Sequence, residues 1–366
     1  MTPSTVTAEQ PRTSIRATTM KAIVKAKAEQ GIEIHEVPVP TAGPGDILLK
    51  VKRAGVCGTD LHIHQWDRWS QGRVKPPVTL GHEFVGEVVE LGAGVTNVAL
   101  GDLVSCESHV VCHTCVACRT NHAHVCVNTR TLGIDINGGF AEYVAVPAVN
   151  AWPIPPGVSL EVAAIMEPCG NAVHTAFAGD LSGCNIAVTG CGPIGLFAIG
   201  VARAAGATRV IASDVSPYRL DLARKMKADA VIDVSREDFV ERVDEITQGR
   251  GLDGVLEMSG NPKAMRDGLA ALRMGGRLSL LGLPTEPFDL DWNRLVIFKG
   301  ITLHGIVGRR MYETWDQLDQ LLRSGRLDLT PAITHTMPME HFDDAIALLR
   351  EGKAGKVVLV PWGESA

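Results

Sequence analysis

Ile186-Ala-Val-Thr189 runs straight into Gly190-Cys-Gly-Pro-Ile-Gly195, and Leu196 to Ala205 follows with the apolar content of a buried helix. A strand, a G-x-G-x-x-G turn and a helix start in that order form the fingerprint of a dinucleotide-binding βαβ unit. Each glycine has its own task. Gly190 makes the tight turn, Gly192 lets the backbone approach a pyrophosphate, and Gly195 lets the helix pack close to the strand. Backbone N–H groups at the helix start would hold the phosphates. Asp214 ends the next strand, 19 residues past Gly195. A carboxylate there accepts a hydrogen bond from a ribose 2′-hydroxyl and repels a 2′-phosphate, which favours NAD over NADP. Arg219 lies near it and is expected to pack on the adenosine.

Outward from this turn, the chain alternates. Strands are expected at 186–189, 209–213, 230–233, 253–257 and 277–281, with helices from Pro193, from Ser216 and from about Glu237, and another ending at Leu272. Strands separated by helices of ten or more residues build a doubly wound parallel sheet, an α/β Rossmann architecture. Lys21 to about Val146 has a different texture. Short alternating runs broken by glycine, such as Ile47 to Val51, Phe84 to Leu91 and Ala141 to Val146, read as a mainly β domain. Beyond Arg309, two helices (Trp315 to Leu322 and Phe342 to Leu349) and a last strand, Lys356 to Val360, are expected to return to that first domain. The division is therefore a tail at 1–19, a catalytic domain at 20–168 and 310–366, and a dinucleotide-binding domain at 169–309. The boundary near Pro168 falls in a helix-like segment, a hinge helix and not a loose linker.

Composition narrows the class. The 366 residues are 45% hydrophobic and 21% charged, ordinary for a soluble enzyme of about two domains. The net charge of −6 argues against a nucleic-acid binder, which needs a concentrated basic surface. No apolar stretch reaches the roughly 20 residues of a membrane span. The first residues lack the hydrophobic segment of a secretory signal and are rich in Ser, Thr and Pro. Nine cysteines, an odd number, do not suggest a disulfide framework.

Four of those cysteines lie together. Cys112, Cys115, Cys118 and Cys126 are spaced C-x2-C-x2-C-x7-C, which suits a closed tetrahedral thiolate shell around a structural Zn²⁺. Iron–sulfur ligation is the rival for such spacing. Cys106, Cys169, Cys184 and Cys191 fall outside the cluster and read as small apolar filler.

A second metal centre is suggested by Cys57 in Gly55-Val-Cys-Gly-Thr-Asp-Leu-His62, by Gly81-His-Glu83, and by Glu167 ahead of Pro168. Three protein ligands with one position open is the arrangement of a catalytic zinc, which acidifies a bound hydroxyl. Cys57, His82 and a carboxylate would supply them.

Taken together, Cys57-Gly-Thr-Asp-Leu-His62, Gly81-His-Glu83, the four-cysteine lobe and Gly190-Cys-Gly-Pro-Ile-Gly195 resemble, in content and order, the zinc-containing medium-chain alcohol dehydrogenases. The resemblance runs from about Met20 to Trp362 and implies a GroES-like catalytic domain carrying a zinc lobe beside the Rossmann domain. It implies Cys57, His82 and Glu83 as ligands of a catalytic zinc, with Glu167 a carboxylate near the metal. The inner-shell choice between Glu83 and Glu167 stays open. Thr59 and His62 match a relay carrying the hydroxyl proton to solvent, Ile194, Asp214 and Arg219 match cofactor contacts, and Leu281-Gly282-Leu283 and Ile306-Val307 match backbone contacts to NAD. Further markers are His62-Ile-His-Gln-Trp-Asp-Arg-Trp-Ser70, Pro168-Cys-Gly-Asn-Ala-Val-His-Thr-Ala176, Asp291-Trp292 and Tyr312-Glu-Thr-Trp315. They are similar to the branch of the family that oxidises L-threonine at its secondary hydroxyl to 2-amino-3-oxobutyrate, in a cytoplasmic homotetramer. A polyol or secondary alcohol is the alternative substrate within the same fold, and a non-catalytic NAD-binding sensor is the distant one.

Overall fold

A computed structural model of the chain describes residues 17–364. Its centre is a six-stranded, all-parallel sheet. The strands are Asn185–Thr189, Arg209–Asp214, Ala230–Asp233, Leu252–Glu257, Leu272–Leu280 and Thr302–Gly305. Counted from the first of these, their spatial order is 3-2-1-4-5-6. All five residues of Asn185–Thr189 are buried, because helices cover both faces of a parallel sheet. Ile186 and Val188 point into one core and Ala187 into the other. The order reverses beside Asn185–Thr189, so a crevice opens past the ends of that strand and Leu252–Glu257, where doubly wound sheets bind ligands.

The helices start where local chemistry provides caps. Ser216 accepts from the Arg219 N–H ahead of Pro217–Lys225, and Asp238 from the Val240 and Glu241 N–H groups ahead of Phe239–Thr247. In both, a short polar side chain satisfies N–H groups that have no partner within the helix.

The other domain is a bent β assembly. A seven-stranded sheet runs Ala151–Pro153, Leu103–Cys106, Glu83–Leu91, Asp46–Val56, Lys356–Val360 and Ile333–Pro338, with Tyr143–Pro147 also paired to Asp46–Val56. A three-stranded sheet of Glu33–Pro38, Thr19–Lys25 and Val78–Thr79 flanks it. The last strand, Lys356–Val360, joins Asp46–Val56 through the pairing of Val357 with Val56. Of the expected tail, residues 1–16 lie outside the described residues, and Thr19 already pairs with Pro38.

Two helices tie the halves together. Met166–Ala176 packs Met166, Cys169, Ala172, Val173 and Ala176 into the core around Ile186 and Val188. Glu313–Arg323 sends Trp315 and Leu318 into that same core. Phe342–Arg350, by contrast, adds Phe342, Ala345 and Ile346 to the β-domain core. The segment after Arg309 thus divides between the two cores, because the apolar face of its first helix fits the Rossmann side.

Candidate functional site

At the phosphate turn, Gly190 has a φ of +88°, a conformation that costs little only without a Cβ. A Cβ on Gly195 would lie 1.9 Å from the Gly190 carbonyl oxygen, so the helix seats against the turn only with glycine there. A Cβ on Gly192 would meet nothing within 4 Å. That open face of the backbone is the approach a pyrophosphate needs. Asp214 is fixed from two sides, accepting from the Cys191 N–H at 2.7 Å and the Ser216 N–H at 2.9 Å. Arg219 Nη1 stands 3.9 Å from it. Gly190, Gly192, Asp214 and Arg219 line one cavity of about 350 Å³. Leu281 and Gly282 donate their N–H groups to the Glu257 carbonyl oxygen. Leu283 and Val307 are exposed, while Ile306 is buried against a neighbouring cavity and Ile194 is half-buried on the Rossmann core. Of the expected cofactor positions, Gly190, Gly192, Asp214 and Arg219 are thus brought to one cavity, and Ile306 lines a different one.

Strand pairing assembles the second centre. Asp46–Val56 runs antiparallel to Glu83–Leu91 with Gly55 opposite Glu83. Cys57, two residues past Gly55, therefore arrives beside His82, one residue before Glu83. The ligand atoms of Cys57, His82 and Glu83 all lie within 4.8 Å of one another. Cys57 caps the helix Gly58–Gln65, and its N–H donates to Asp60 Oδ2 at 2.9 Å. The Thr59 hydroxyl lies 3.6 Å from the Cys57 sulfur.

These residues fit a divalent cation. His82 Nδ1 and Asp60 Oδ1 are buried and have no hydrogen-bond partner. Burial opposes a charge on His82, yet the Cys57 thiolate, Asp60 and Glu167 outweigh it and push its pKa up to about 10. The surroundings thus attract positive charge to the place where a metal would sit. Burial raises Asp60 to about 6.

Four thiols make the other centre. Cys112, Cys115, Cys118 and Cys126 bring their sulfurs within 4.8 Å of one another. Cys126 lies 3.5 Å from Cys112 and 3.8 Å from Cys115. A tetrahedron of Zn–S bonds near 2.3 Å demands S···S distances of about 3.8 Å, so this cage also fits its ion. The backbone N–H groups of Cys112, Cys115 and Asn128 point at sulfurs from 3.3–3.4 Å. Hydrogen bonding, led by the Thr114 hydroxyl, lowers the Cys112 thiol to about 5, while burial raises Cys118 to about 12.

Comparison with known proteins agrees with this geometry. Residues 43–156 match the alcohol dehydrogenase GroES-like domain and 193–324 match the zinc-binding dehydrogenase domain. An L-threonine 3-dehydrogenase of Symbiobacterium thermophilum is 51% identical, over 94% of this chain and 99% of its own. The chain belongs to the zinc-containing medium-chain alcohol dehydrogenase family. Among solved structures, a protein of Escherichia coli described as a short chain alcohol dehydrogenase, complexed with NADH, superposes with a TM-score of 0.86 at 29% identity, covering 94% of this chain and 100% of that one. The 2R,3R-butanediol dehydrogenase of Bacillus subtilis gives 0.84 at 30% identity, covering 93% and 99%.

Within this family member the structure adds residues that the sequence did not single out. Lys356 is buried, donates to the Val56 carbonyl oxygen at 2.9 Å and forms an ion pair with Glu83. Arg309, 2% exposed, donates to both oxygens of Glu107, reaches Glu167 at 2.9 Å and touches Ser108 Oγ at 3.0 Å. Trp315 Nε1 also donates to Glu107, at 2.8 Å. The two carboxylates left open at the metal thus carry different cations, Glu83 having Lys356 and Glu167 having Arg309. Glu83, not Glu167, is grouped with Cys57 and His82 at ligand distance. Burial raises Glu167, against the pull of Arg309.

Proposed function

We propose that this chain oxidises L-threonine at its secondary hydroxyl to L-2-amino-3-oxobutyrate, with NAD as hydride acceptor. One observation carries the reading. Cys57, His82 and Glu83 converge within 4.8 Å in a chain that is about half identical, over nearly its whole length, to a relative named for that reaction. Zinc bound there supplies a Lewis acid that lowers the pKa of a hydroxyl, and NAD supplies the hydride acceptor.

The protein's own groups do the remaining work. Cys57, His82 and Glu83 hold the catalytic metal, and Lys356 neutralises the carboxylate on its outer side. Thr59 takes the hydroxyl proton and passes it to His62. The two share a face of one helix, three residues apart. Glu167, kept beside the site by Arg309, is available to accept or return a proton. Gly190, Gly192, Ile194 and Gly195 receive the pyrophosphate, Asp214 and Arg219 the adenosine half, and the segments 281–283 and 306–307 the nicotinamide half. The four-cysteine cage holds a second, structural zinc.

The proposed domains are a catalytic one at 20–168 and 310–366 and a Rossmann one at 169–309. Helices Met166–Ala176 and Glu313–Arg323 bridge them. A homotetramer is the proposed assembly, supported by the free edge of Thr302–Gly305 and by the exposed apolar Ile297 and Phe298 near it. Among the described residues no helix is long and apolar enough to cross a membrane, and the proposed compartment is the cytoplasm, where thiolate clusters stay reduced.

The test is initial NADH formation from L-threonine, beside sorbitol, 2,3-butanediol and ethanol, repeated with NADP. Selectivity for threonine and NAD is expected. Preference for a diol or polyol would retain the dehydrogenase and discard the substrate.

A further inference from the structure

The turn between two short helices carries a carboxylate that the relay has not used. Helix Gly58–Gln65 ends at Trp66, whose φ of 53° is left-handed, and the chain doubles back into helix Arg68–Arg73. This reversal lets the Asp67 N–H reach the His62 carbonyl oxygen at 3.4 Å. The two oxygens of the Asp67 side chain have separate partners. Oδ1 accepts from the N–H and the hydroxyl of Ser70, at 2.9 and 3.0 Å, and so caps the second helix. Oδ2 lies 2.7 Å from His62 Nδ1.

We propose that Asp67 is the positioning residue of the proton relay, fixing His62 in the tautomer that carries its proton on Nδ1 and leaves Nε2 free to receive the proton from Thr59. The inference rests on the relay reading given above.

A neutral imidazole has one N–H and one lone pair, and the partner of one nitrogen decides the role of the other. A carboxylate can only accept, so Nδ1 must be the donor and Nε2 the base. The same logic orients the histidine of a Ser-His-Asp triad. An exposed ion pair ordinarily contributes little, because two flexible side chains must be ordered to make it. Here the carboxylate is ordered beforehand. Ser70 is buried, its N–H and hydroxyl hold Oδ1, and the turn closes onto His62 through the backbone. The Ser70 N–H also keeps the Asp67 carboxyl below its usual range. His62, with its side chain 57% exposed, lies where a relay must deliver its proton to water. The edge of Trp69 meets the imidazole, at 6.3 Å between centroids, and limits its swing.

Asp67→Asn tests this, since asparagine caps a helix as well as aspartate does and the fold should not change. With the amide oxygen held by the Ser70 N–H as the cap, the NH2 group faces Nδ1 as a donor and favours the opposite tautomer. In ¹⁵N-histidine spectra, the His62 signals (identified by their loss in His62→Gln) should show Nδ1–H in the wild type and shift toward Nε2–H in Asp67→Asn. This readout needs neither zinc nor turnover. With turnover on L-threonine, kcat should fall about tenfold or more, as for a disturbed general base, while KM changes by less than about twofold. In a His62→Gln background, Asp67→Asn should cost nothing further. An unchanged tautomer, or an equal loss of kcat with and without His62, would overturn the proposal. A wild type that spares threonine but turns over another alcohol would refute the substrate assignment alone. The same cycle run on that alcohol would still decide the role of Asp67.

Discussion

Arg309 shows how much one side chain can hold in place. It is fully buried between Glu107 and Glu167, and without it no cation would offset either buried carboxylate, Glu107 keeping only the Trp315 and His109 N–H groups and Glu167 the Ser108 hydroxyl as donors. Removing one partner of such a pair leaves an uncompensated charge and costs roughly 3–5 kcal/mol. Arg309→Met should therefore lose stability on that scale in urea unfolding, and a loss below about 1 kcal/mol would mean that solvent reaches the carboxylates. Glu107 gives a second, pH-dependent check. Burial works against its charge, but Arg309 overcomes this and lowers its pKa from 4.5 to about 2. A carboxyl with a depressed folded pKa stabilises above its unfolded value and loses that contribution as pH falls toward the folded one. Glu107 should thus contribute about 3 kcal/mol above pH 4.5, vanishing by pH 2. In Glu107→Gln, stability should be flatter than wild type across that window. An unchanged slope would remove Glu107 from the account.

Among the elements, the phosphate turn separates cofactor binding from folding. A Cβ at position 192 meets no protein atom, whereas one at 195 collides with the Gly190 carbonyl oxygen. Gly192→Ala should keep its melting temperature and raise the Kd for NAD at least tenfold. Gly195→Ala should lose both. If the two behaved alike in calorimetry and in NAD titration, the turn would not be the phosphate site. The same elements show what a sequence reveals. The motif at 190–195 and the strands around it were legible because local patterns define them. The strand Lys356–Val360 was legible for the same reason, falling where its apolar run does. The strand Ile333–Pro338 is not legible in the sequence because its burial pattern is mostly half-exposed, without a clean alternation. Helix Glu313–Arg323 was expected as a helix, but its preference for the Rossmann core depends on what Trp315 and Leu318 meet in space. Lys356 and Arg309 left no signal at all, because Lys356 meets Val56 across 300 positions and Arg309 meets Glu107 across 202. Asp67, five residues from His62, falls inside a marker segment, but its orientation depends on the left-handed turn at Trp66.

The whole molecule joins a parallel sheet with a core on each face to a β domain with its own core, and it carries a thiolate cage on one lobe and the Cys57, His82 and Glu83 centre apart from it. The cage and the open site should therefore fail independently. Cys112→Ser should remove one zinc per chain and lower the melting temperature, yet leave NAD affinity intact, because the Rossmann core shares no residue with the lobe. Loss of both metals in that variant, read by metal analysis, would show that the two centres are coupled.

The most direct test of the central claim is the initial rate of NADH formation from L-threonine by zinc-loaded Cys57→Ser beside the wild type. Metal should be counted on the same samples. Two zinc ions per chain are expected in the wild type and one in the variant, with the rate falling by about a thousandfold or more and the four-cysteine cage still filled. A variant that keeps the wild-type rate, or one that still holds both zinc ions, would contradict an open zinc centre at Cys57, His82 and Glu83.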